Sequence, residues 1–194
     1  MKQNAKITVI GCGPGGKDYL TPIAKNEAEK ADILIGTKGL IDIFKNAEAE
    51  KIEIGYSEDK PGPDRIVELI KSGDLKGNIA FLCEGDSGLF SYARFLRERF
   101  GRKNIRIVPG ISSVQFALAR IGLEWDNVTI IKARDQTFKF SFEENHKKEK
   151  ICVLVGGAAL IPTVLPRGSG QDNYLICNGI LFKCPLFLGL YRPF

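Results

Sequence analysis

The residue types best suited to hold a charged small molecule fall in two short segments, Gly85–Gly88 (GDSG) and Pro109–Ser113 (PGISS). Asp86 supplies a carboxylate, and Ser112 and Ser113 supply hydroxyl groups that can donate and accept hydrogen bonds. The glycines allow backbone N–H groups to approach a ligand closely. Together these groups can bind and orient a polar ligand, and we expect both segments to contribute to a ligand site.

Both segments follow short apolar runs that predict buried strands, over Asn78–Cys83 and Asn104–Val108. A third, glycine-rich segment, Gly11–Gly16, follows a strand predicted over Ile7–Ile10. The carboxyl ends of parallel strands meet at one edge of a sheet, and open α/β sheets bind their ligands at that edge. We therefore expect the three segments to lie side by side.

Helical patterns separate the predicted strands. Thr21 followed by Pro22 is typical of a helix start, and Gly73 and Gly122 are typical of helix ends. Strands and helices alternate between residues 7 and 122, which indicates a doubly wound α/β domain. The predicted helices are Pro22–Lys30, one that begins at Pro63, Gly88–Phe100, and one behind a capping box formed by Ser112 and Gln115; a further strand is predicted over Ile33–Ile35.

The carboxyl-terminal part of the chain has a different pattern. Strands are predicted over Asn127–Lys132 and Ile151–Val155, whereas residues 156–194 contain glycine, proline and apolar runs without helical periodicity. We predict two α/β domains, residues 1–111 with a parallel sheet and residues 112–194, of which the second is shortened or atypical after residue 156.

The glycines at positions 11, 13 and 16 match the G-x-G-x-x-G fingerprint of dinucleotide-binding folds. That fingerprint requires a helix that starts within the motif and an acidic residue at the end of the second strand. Here the helix is predicted to start only at Pro22, and Gly36 and Thr37 follow the second strand. A nicotinamide or flavin cofactor is therefore disfavoured. A mere tight turn remains an alternative, and a loop that lets a bulky ligand approach the backbone fits best.

The amino-acid composition excludes several classes of partner and of catalytic site. The formal net charge is +5 with scattered basic residues, and Glu149 interrupts the dense stretch His146–Lys150, so we expect no nucleic-acid partner. His146 is the only histidine, which argues against histidine-based catalysis and histidine-rich metal sites. The five cysteines form no C-x-x-C pair, and no apolar run is long enough to span a membrane. We expect buried reduced thiols, no bound metal and a cytoplasmic protein.

Three stretches resemble the tetrapyrrole methylases: VIGCGPGGKDYLT at residues 9–21, CEGDSGLFSYAR at 83–94 and IVPGISSVQFALARIGLEW at 107–125. The resemblance covers residues 6–135. It implies a two-domain α/β fold with the cofactor between the domains, and transfer of a methyl group from S-adenosylmethionine to a tetrapyrrole. Within the family, the chain is most similar to the stand-alone enzymes that methylate carbon 5 of a precorrin in cobalamin biosynthesis.

The resemblance also implies roles for individual residues. The cofactor would contact Gly85, Asp86, Ser87, Leu89, Ser112 and Ser113. The tetrapyrrole would face Gly11, Gly13, Pro14 and Gly15, and Arg134 stands in the place of a family turn that often carries an arginine. No residue is expected to act as an acid or base, because the substrate carbon attacks the sulfonium methyl directly and the protein aligns the two.

The resemblance implies a homodimer, in which the apolar run Leu181–Leu190 could be buried, and a separate decarboxylating methyltransferase for carbon 15 as functional partner. Three alternatives remain open. The chain could be the carbon-5 methyltransferase, or an enzyme of the same fold that acts on another tetrapyrrole carbon or on diphthamide. It could also be an inactive ligand-binding remnant, because residues 157–194 do not resemble the second domain of the family.

Overall fold

The computed structural model describes residues 5–55, 61–120, 122–133, 150–155, 174–177 and 180–183. The chain divides into two compact units, Met1–Ser113 and Val114–Phe194. The strands are β1 (Lys6–Gly11), β2 (Ile33–Gly36), β3 (Glu50–Glu53), β4 (Asn78–Cys83), β5 (Ile105–Val108), β6 (Val128–Ala133), β7 (Lys150–Val155), β8 (Tyr174–Cys177) and β9 (Ile180–Lys183). The α-helices are α1 (Pro22–Glu29), α2 (Lys38–Ile43), α3 (Pro63–Ser72), α4 (Tyr92–Phe100) and α5 (Ser113–Arg120).

A parallel sheet forms the centre of the first unit, in the strand order β3-β2-β4-β1-β5. Side chains of β1 alternate between two cores: Ile7 and Val9 pack with α3 and α4, whereas Ile10 packs with α1 and α2. Helices thus cover both faces of the sheet, which is the arrangement of a doubly wound α/β domain. The predicted α/β fold with a parallel sheet is confirmed.

The sequence signals at two helix ends act as expected. Thr21 Oγ1 accepts a hydrogen bond from Ala24 N at 3.2 Å, and Pro22 occupies the first turn of α1. Gly73 ends α3 in the left-handed region with a φ of 87°, and its N–H donates to Ile70 O. A side chain at that φ would be strained, so glycine is the residue that lets α3 turn back towards β4.

The sequence did not predict two elements of the first unit. Helix α2 has only six residues and contains Gly39, and β3 is polar at three of its four positions. Long-range pairing holds β3 in place: it lies in parallel register with β2, and Glu50 N donates to Asp32 O at 2.9 Å. Tertiary contacts therefore override a local pattern that is too weak to indicate a strand.

The second unit contains a mixed sheet in the strand order β6-β7-β9-β8. Strands β6 and β7 are parallel, and β9 is antiparallel to both β7 and β8. The strands predicted over 127–132 and 151–155 correspond to β6 and β7 and are confirmed. None of the helices in the described part of the chain combines the length and the apolarity that crossing a membrane requires.

Candidate functional site

The three segments singled out in the sequence meet at one edge of the parallel sheet. Strand β1 lies between β4 and β5; Gly11 pairs with Cys83, and Ile10 pairs with Val108. We call the segments that follow these strands loop 1 (residues 11–16), loop 2 (residues 84–91) and loop 3 (residues 109–112). The connections that leave β1 and β4 lead to helices on opposite faces of the sheet, so this three-loop edge contains a topological switch point.

Glycines from all three loops pack backbone against backbone. A Cβ atom on Gly11 would lie 2.7 Å from Gly110 N and 2.8 Å from Gly85 O, and one on Gly110 would overlap the backbones of both Gly11 and Gly85. Gly13 and Gly85 exchange two hydrogen bonds, with N···O distances of 3.1 and 2.7 Å. The absence of side chains at these positions is thus required by the protein's own backbone.

Loop 1 is buried at Gly11 and Gly13 and exposed at Gly15 and Gly16. Gly13 has a φ of 78°, and a Cβ atom there would lie 2.5 Å from Tyr19 O. Glycine is therefore needed at this position for the backbone conformation of the turn. Gly15 and Gly16 also have positive φ, but they are exposed and a Cβ atom on either would meet nothing within 4 Å. Only the tip of loop 1, Pro14–Gly16, therefore offers backbone that another molecule could approach.

The predicted late start of the first helix is confirmed. A short 3-10 turn, Lys17–Tyr19, follows loop 1, and α1 begins at Pro22. The amino end of α1 is thus separated from the glycines of loop 1, and the paired backbones of Gly13 and Gly85 occupy the space between the ends of β1 and β4. The dinucleotide fingerprint needs a helix amino end directly behind its glycines, and this chain does not provide one.

The carboxylate of Asp86 ties loop 2 to loop 3. Its Oδ1 accepts a hydrogen bond from Gly88 N at 2.8 Å, and its Oδ2 accepts one from Gly110 N at 3.0 Å. The residue is half-buried. Charge-assisted hydrogen bonds of this kind are stronger than neutral ones, so Asp86 fixes the relative position of two loops. Each of its oxygens retains capacity for a further donor.

Ser87 points into the protein. It is fully buried, and its Oγ donates to Val108 O at 2.6 Å, which connects loop 2 to the last residue of β5. Its carbonyl oxygen accepts a hydrogen bond from Ser91 Oγ, and Ser91 Oγ in turn accepts one from Ala93 N at 3.1 Å. Contact between the cofactor and Ser87 stays a prediction from the resemblance, and in this structure its hydroxyl serves the loop.

The predicted start of α4 at Gly88 is wrong. The helix begins at Tyr92 with Ser91 as its N-cap, because the preceding residues form a turn in which Leu89 N donates to Asp86 O. Phe90 follows with a φ of 52°, in the left-handed region that a phenylalanine rarely occupies. The sequence contained the signal for the later start, since Ser91 is a preferred N-cap residue.

Ser112 and Ser113 stand where loop 3 leads into α5. Ser112 is 7% exposed, and Ser113, the first residue of α5, is half-buried. A Cβ atom on Gly85 would lie 3.3 Å from Ser113 N, so the amino end of α5 opens directly beside loop 2. The helix dipole makes such an end favourable for an anionic group.

Two thiols lie directly beneath the loops. Cys83 Sγ donates to Ile10 O at 3.2 Å, and Cys12 Sγ donates weakly to the same oxygen at 3.7 Å. The pKa of each thiol is raised to about 12, mainly by burial, and for Cys83 the neighbouring Cys12 contributes to the rise. Both thiols are therefore protonated at neutral pH and are poor nucleophiles. Cys12, Cys83 and Cys152 are buried and free, as predicted.

Two exposed aromatic residues belong to the same region and were missed in the sequence. Tyr19 is 37% exposed and follows loop 1, and Phe90 is 46% exposed and lies within loop 2. Position alone could have indicated them, since each stands within three residues of a glycine segment. Arg134 falls outside the described residues. Within the described ranges, no group of three or more histidine, cysteine, aspartate or glutamate side chains could hold a metal ion.

The family model for Tetrapyrrole (Corrin/Porphyrin) Methylases matches residues 6–148. The chain belongs to this family. It is 32% identical over 179 residues to the probable cobalt-precorrin-7 C(5)-methyltransferase of Methanocaldococcus jannaschii, a match that covers 90% of this chain and 78% of that one. It is 29% identical to the cobalt-precorrin-7 C(5)-methyltransferase of Salmonella typhimurium, over 91% of this chain and 86% of that one.

A solved tetrapyrrole methylase shares the fold of this chain. The uroporphyrin-III C-methyltransferase of Thermus thermophilus, in complex with S-adenosylhomocysteine, superimposes with a TM-score of 0.66 at 13% identity and covers 92% of each chain. The resemblance identified in the sequence is therefore confirmed.

Proposed function

We propose that this protein transfers a methyl group from S-adenosylmethionine to carbon 5 of a corrin-precursor tetrapyrrole in cobalamin biosynthesis. The observation that carries the proposal is the match to two C(5)-methyltransferases over nine-tenths of the chain. A match to the family's loops alone would support methyl transfer in general. A match that extends through both units supports one substrate class.

The groups at the three-loop edge suit the cofactor. S-adenosylmethionine carries a carboxylate, an ammonium group and ribose hydroxyls, and the amino end of α5 at Ser113 favours a carboxylate. Asp86 can accept a hydrogen bond from an ammonium or hydroxyl group on the lone pairs that its two backbone donors leave open. Leu89 is half-buried and offers apolar contact beside them. We assign the cofactor to Gly85, Asp86, Ser87, Leu89, Ser112 and Ser113.

The tip of loop 1 suits the tetrapyrrole. Pro14 and Gly15 are accessible, whereas Gly11 and Gly13 are buried against the protein's own backbone. We therefore assign direct contact with the ring to Pro14 and Gly15, and the support of that tip to Gly11 and Gly13. Arg134 stays assigned to the substrate from the resemblance alone.

The chemistry needs alignment more than proton transfer. When bound, S-adenosylmethionine supplies an electrophilic methyl group that a ring carbon can attack in line. The chain holds the loops rigidly through the glycine contacts and the Asp86 hydrogen bonds, which reduces the entropic cost of alignment. The thiols of Cys12 and Cys83, with a pKa of about 12, are unsuited to act as bases at neutral pH.

We further propose a homodimer that works in the cytoplasm. We also propose that a separate decarboxylating methyltransferase, which acts at carbon 15, uses the product. Both proposals rest on the family resemblance. Cross-linking of the purified protein and an assay with and without that second enzyme test them.

Mass spectrometry of the product decides the main proposal. The purified protein is incubated with S-adenosylmethionine and a cobalt-precorrin-7 substrate, and we expect a gain of one methyl group with all carboxyl groups retained. Loss of carbon dioxide, a second methyl group or methylation at another carbon would contradict the proposal. S-adenosylhomocysteine should bind with micromolar affinity, about −8 kcal/mol, as measured by calorimetry. A failure to bind it would indicate the inactive remnant.

A further inference from the structure

A large groove lies at the opposite edge of the parallel sheet from the three loops. Its volume is about 1210 Å³, and it is bounded by the amino ends of β1, β4 and β5 and by the carboxyl ends of α1 and α3. Strand β1 has six residues, so the two edges are separated by about 20 Å of sheet. We call this feature the amino-edge groove, and all of its lining residues belong to the first unit.

Positive charge dominates the amino-edge groove. Glu27 is the only acidic side chain among the described residues that line it, and it pairs with Arg106 at 2.6 Å, so these two charges offset each other. No acidic side chain in the described part of the chain forms an ion pair with the remaining basic residues. Those residues are exposed, and they are Lys6, Lys30, Lys71, Lys76 and Lys103.

Two acidic residues that adjoin the lining residues in sequence, Asp32 and Asp74, already accept hydrogen bonds. Asp32 Oδ2 accepts a hydrogen bond from Asn78 N at 2.7 Å, and Asp74 Oδ2 accepts one from Ser72 Oγ at 2.6 Å. The first hydrogen bond is made at the start of β4 and the second at the end of α3, and both of these ends border the groove. These two carboxylates reduce the positive potential but leave the lysines without a direct partner among them.

Helix ends explain only part of this charge. Cations at the carboxyl end of a helix are favourable because they offset its dipole, and Lys30 and Lys71 stand at the ends of α1 and α3. Lys6, Lys76 and Lys103 lie outside the α-helices, in a strand, a loop and a 3-10 turn. Three lysines at the groove therefore cannot be explained by a favourable interaction with the dipole of an α-helix.

The floor of the amino-edge groove is partly apolar. Ile70, Leu75 and Ile105 line it, each between 8 and 9% exposed, together with half-buried Phe100. The Lys71 ammonium lies 5.8 Å from the centroid of the Phe100 ring, so charge and apolar surface adjoin directly. A ligand that matches this lining has an apolar body with several carboxylates around it.

We propose that the amino-edge groove is a second binding site, which takes a carboxylate-bearing tetrapyrrole macrocycle. The choice of this ligand class rests on the proposed function, because a tetrapyrrole substrate or product combines an apolar ring with peripheral carboxylates. The volume of the groove lies above the range of about 300–1,000 Å³ that is usual for small-molecule sites, which suits a macrocycle. Binding there would keep a tetrapyrrole on the protein at a place remote from methyl transfer.

Titration with uroporphyrin, a porphyrin with carboxylates on every side chain, tests the site. Quenching of its fluorescence is measured with the unsubstituted protein and with the variant Lys6→Gln/Lys71→Gln/Lys103→Gln. The control variant Lys25→Gln/Lys45→Gln/Lys51→Gln loses the same formal charge from lysines that do not line the groove. Circular dichroism confirms that both variants are folded.

We expect the groove variant to bind one uroporphyrin fewer per chain, or to bind it at least about tenfold more weakly, than the control variant. The lysine-dependent binding should weaken strongly between about 0.01 and 0.5 M sodium chloride. Coproporphyrin, which has half as many carboxylates, should bind more weakly than uroporphyrin. Equal binding by the two variants would overturn the proposal. Displacement of uroporphyrin by polyglutamate at equal carboxylate concentration would also overturn it, in favour of an acidic polypeptide.

The methylation assay separates this proposal from the proposed function. Binding that depends on the groove lysines without methylation at carbon 5 would support the second site and contradict the proposed function. Methylation at carbon 5 with no difference between the variants would contradict the second site alone. Affinity for S-adenosylhomocysteine should be the same in both variants, because the lysines lie far from the three-loop edge.

Discussion

At the carboxyl ends of β1, β4 and β5, three loops pack backbone against backbone, whereas at the amino ends of the same strands exposed lysines surround an open groove. The first edge is rigid because glycines and the Asp86 carboxylate leave little freedom between loops. The second edge is held by few specific contacts between side chains. One sheet therefore provides a positioned site at one end and an electrostatic surface at the other, and substitutions at the two ends should have different consequences.

Alkaline pH should produce the largest effect at the three-loop edge. The thiols of Cys12 and Cys83 keep their protons to about pH 12 in the folded protein, whereas in the unfolded chain they ionise near the ordinary value of 9.0. Between these values the unfolded state binds fewer protons than the folded state. The contribution of the two thiols to the free energy of unfolding is therefore fully present below pH 9 and is lost as the pH rises towards 12. The slope is up to about 1.4 kcal/mol per pH unit for each thiol. Urea unfolding at a series of pH values measures it, and Cys12→Ala/Cys83→Ala should show a shallower slope.

Gly110→Ala should lower the free energy of unfolding by about 3 kcal/mol, because the added methyl group meets the backbones of Gly11 and Gly85. Urea denaturation measures the change. The control is Gly39→Ala in α2, where a Cβ atom meets nothing within 4 Å, and this variant should gain about 0.5–1 kcal/mol. Equal stability of the two variants would show that the loops are not tightly packed.

Asp86→Ala should cost about 2 kcal/mol of stability, because it leaves the N–H groups of Gly88 and Gly110 without their acceptor. It should also weaken S-adenosylhomocysteine binding in calorimetry. Glu84→Ala removes the same charge from an exposed neighbour and should change neither quantity by more than about 0.5 kcal/mol. If both variants bind the cofactor product equally, Asp86 does not position the site.

Arg106→Ala at the amino edge should have the smallest effect, about 0.5 kcal/mol, because its pair with Glu27 is solvent-exposed. Thermal unfolding at low and high salt measures it. A loss of several kcal/mol would show that the amino edge is as firmly constructed as the three-loop edge, and the contrast between the two would fail.

The sequence predicted the parts of the fold that depend on local pattern. Apolar runs located β1, β4 and β5, and their order along the chain placed the three loops at one edge. It failed at β3 and α2, because a polar edge strand and a six-residue helix owe their form to neighbours. The reason for the loop glycines also lay outside the sequence. Gly11, Gly85 and Gly110 are far apart along the chain, and only folding shows that a side chain on Gly11 or Gly110 would meet the backbone of the other two.

The amino-edge groove could not be predicted for the same reason. Lys6, Lys71 and Lys103 are separated by more than 30 residues along the chain, so the sequence presents them as scattered charge. The sheet brings the start of β1, the end of α3 and the approach to β5 together. A net charge of +5 thus conceals a local concentration of cations.

The mutual contact of Gly11, Gly85 and Gly110 has a consequence for how this protein can change over generations. A methyl group on Gly11 or Gly110 would overlap the backbones of the other two glycines, and Gly85 has a φ of 66°, so replacement at any of the three is costly and a second replacement cannot restore what the first removes. The three positions are therefore constrained together. The tip of loop 1 differs from them, because a Cβ atom on Gly15 or Gly16 meets nothing within 4 Å and space for change remains there.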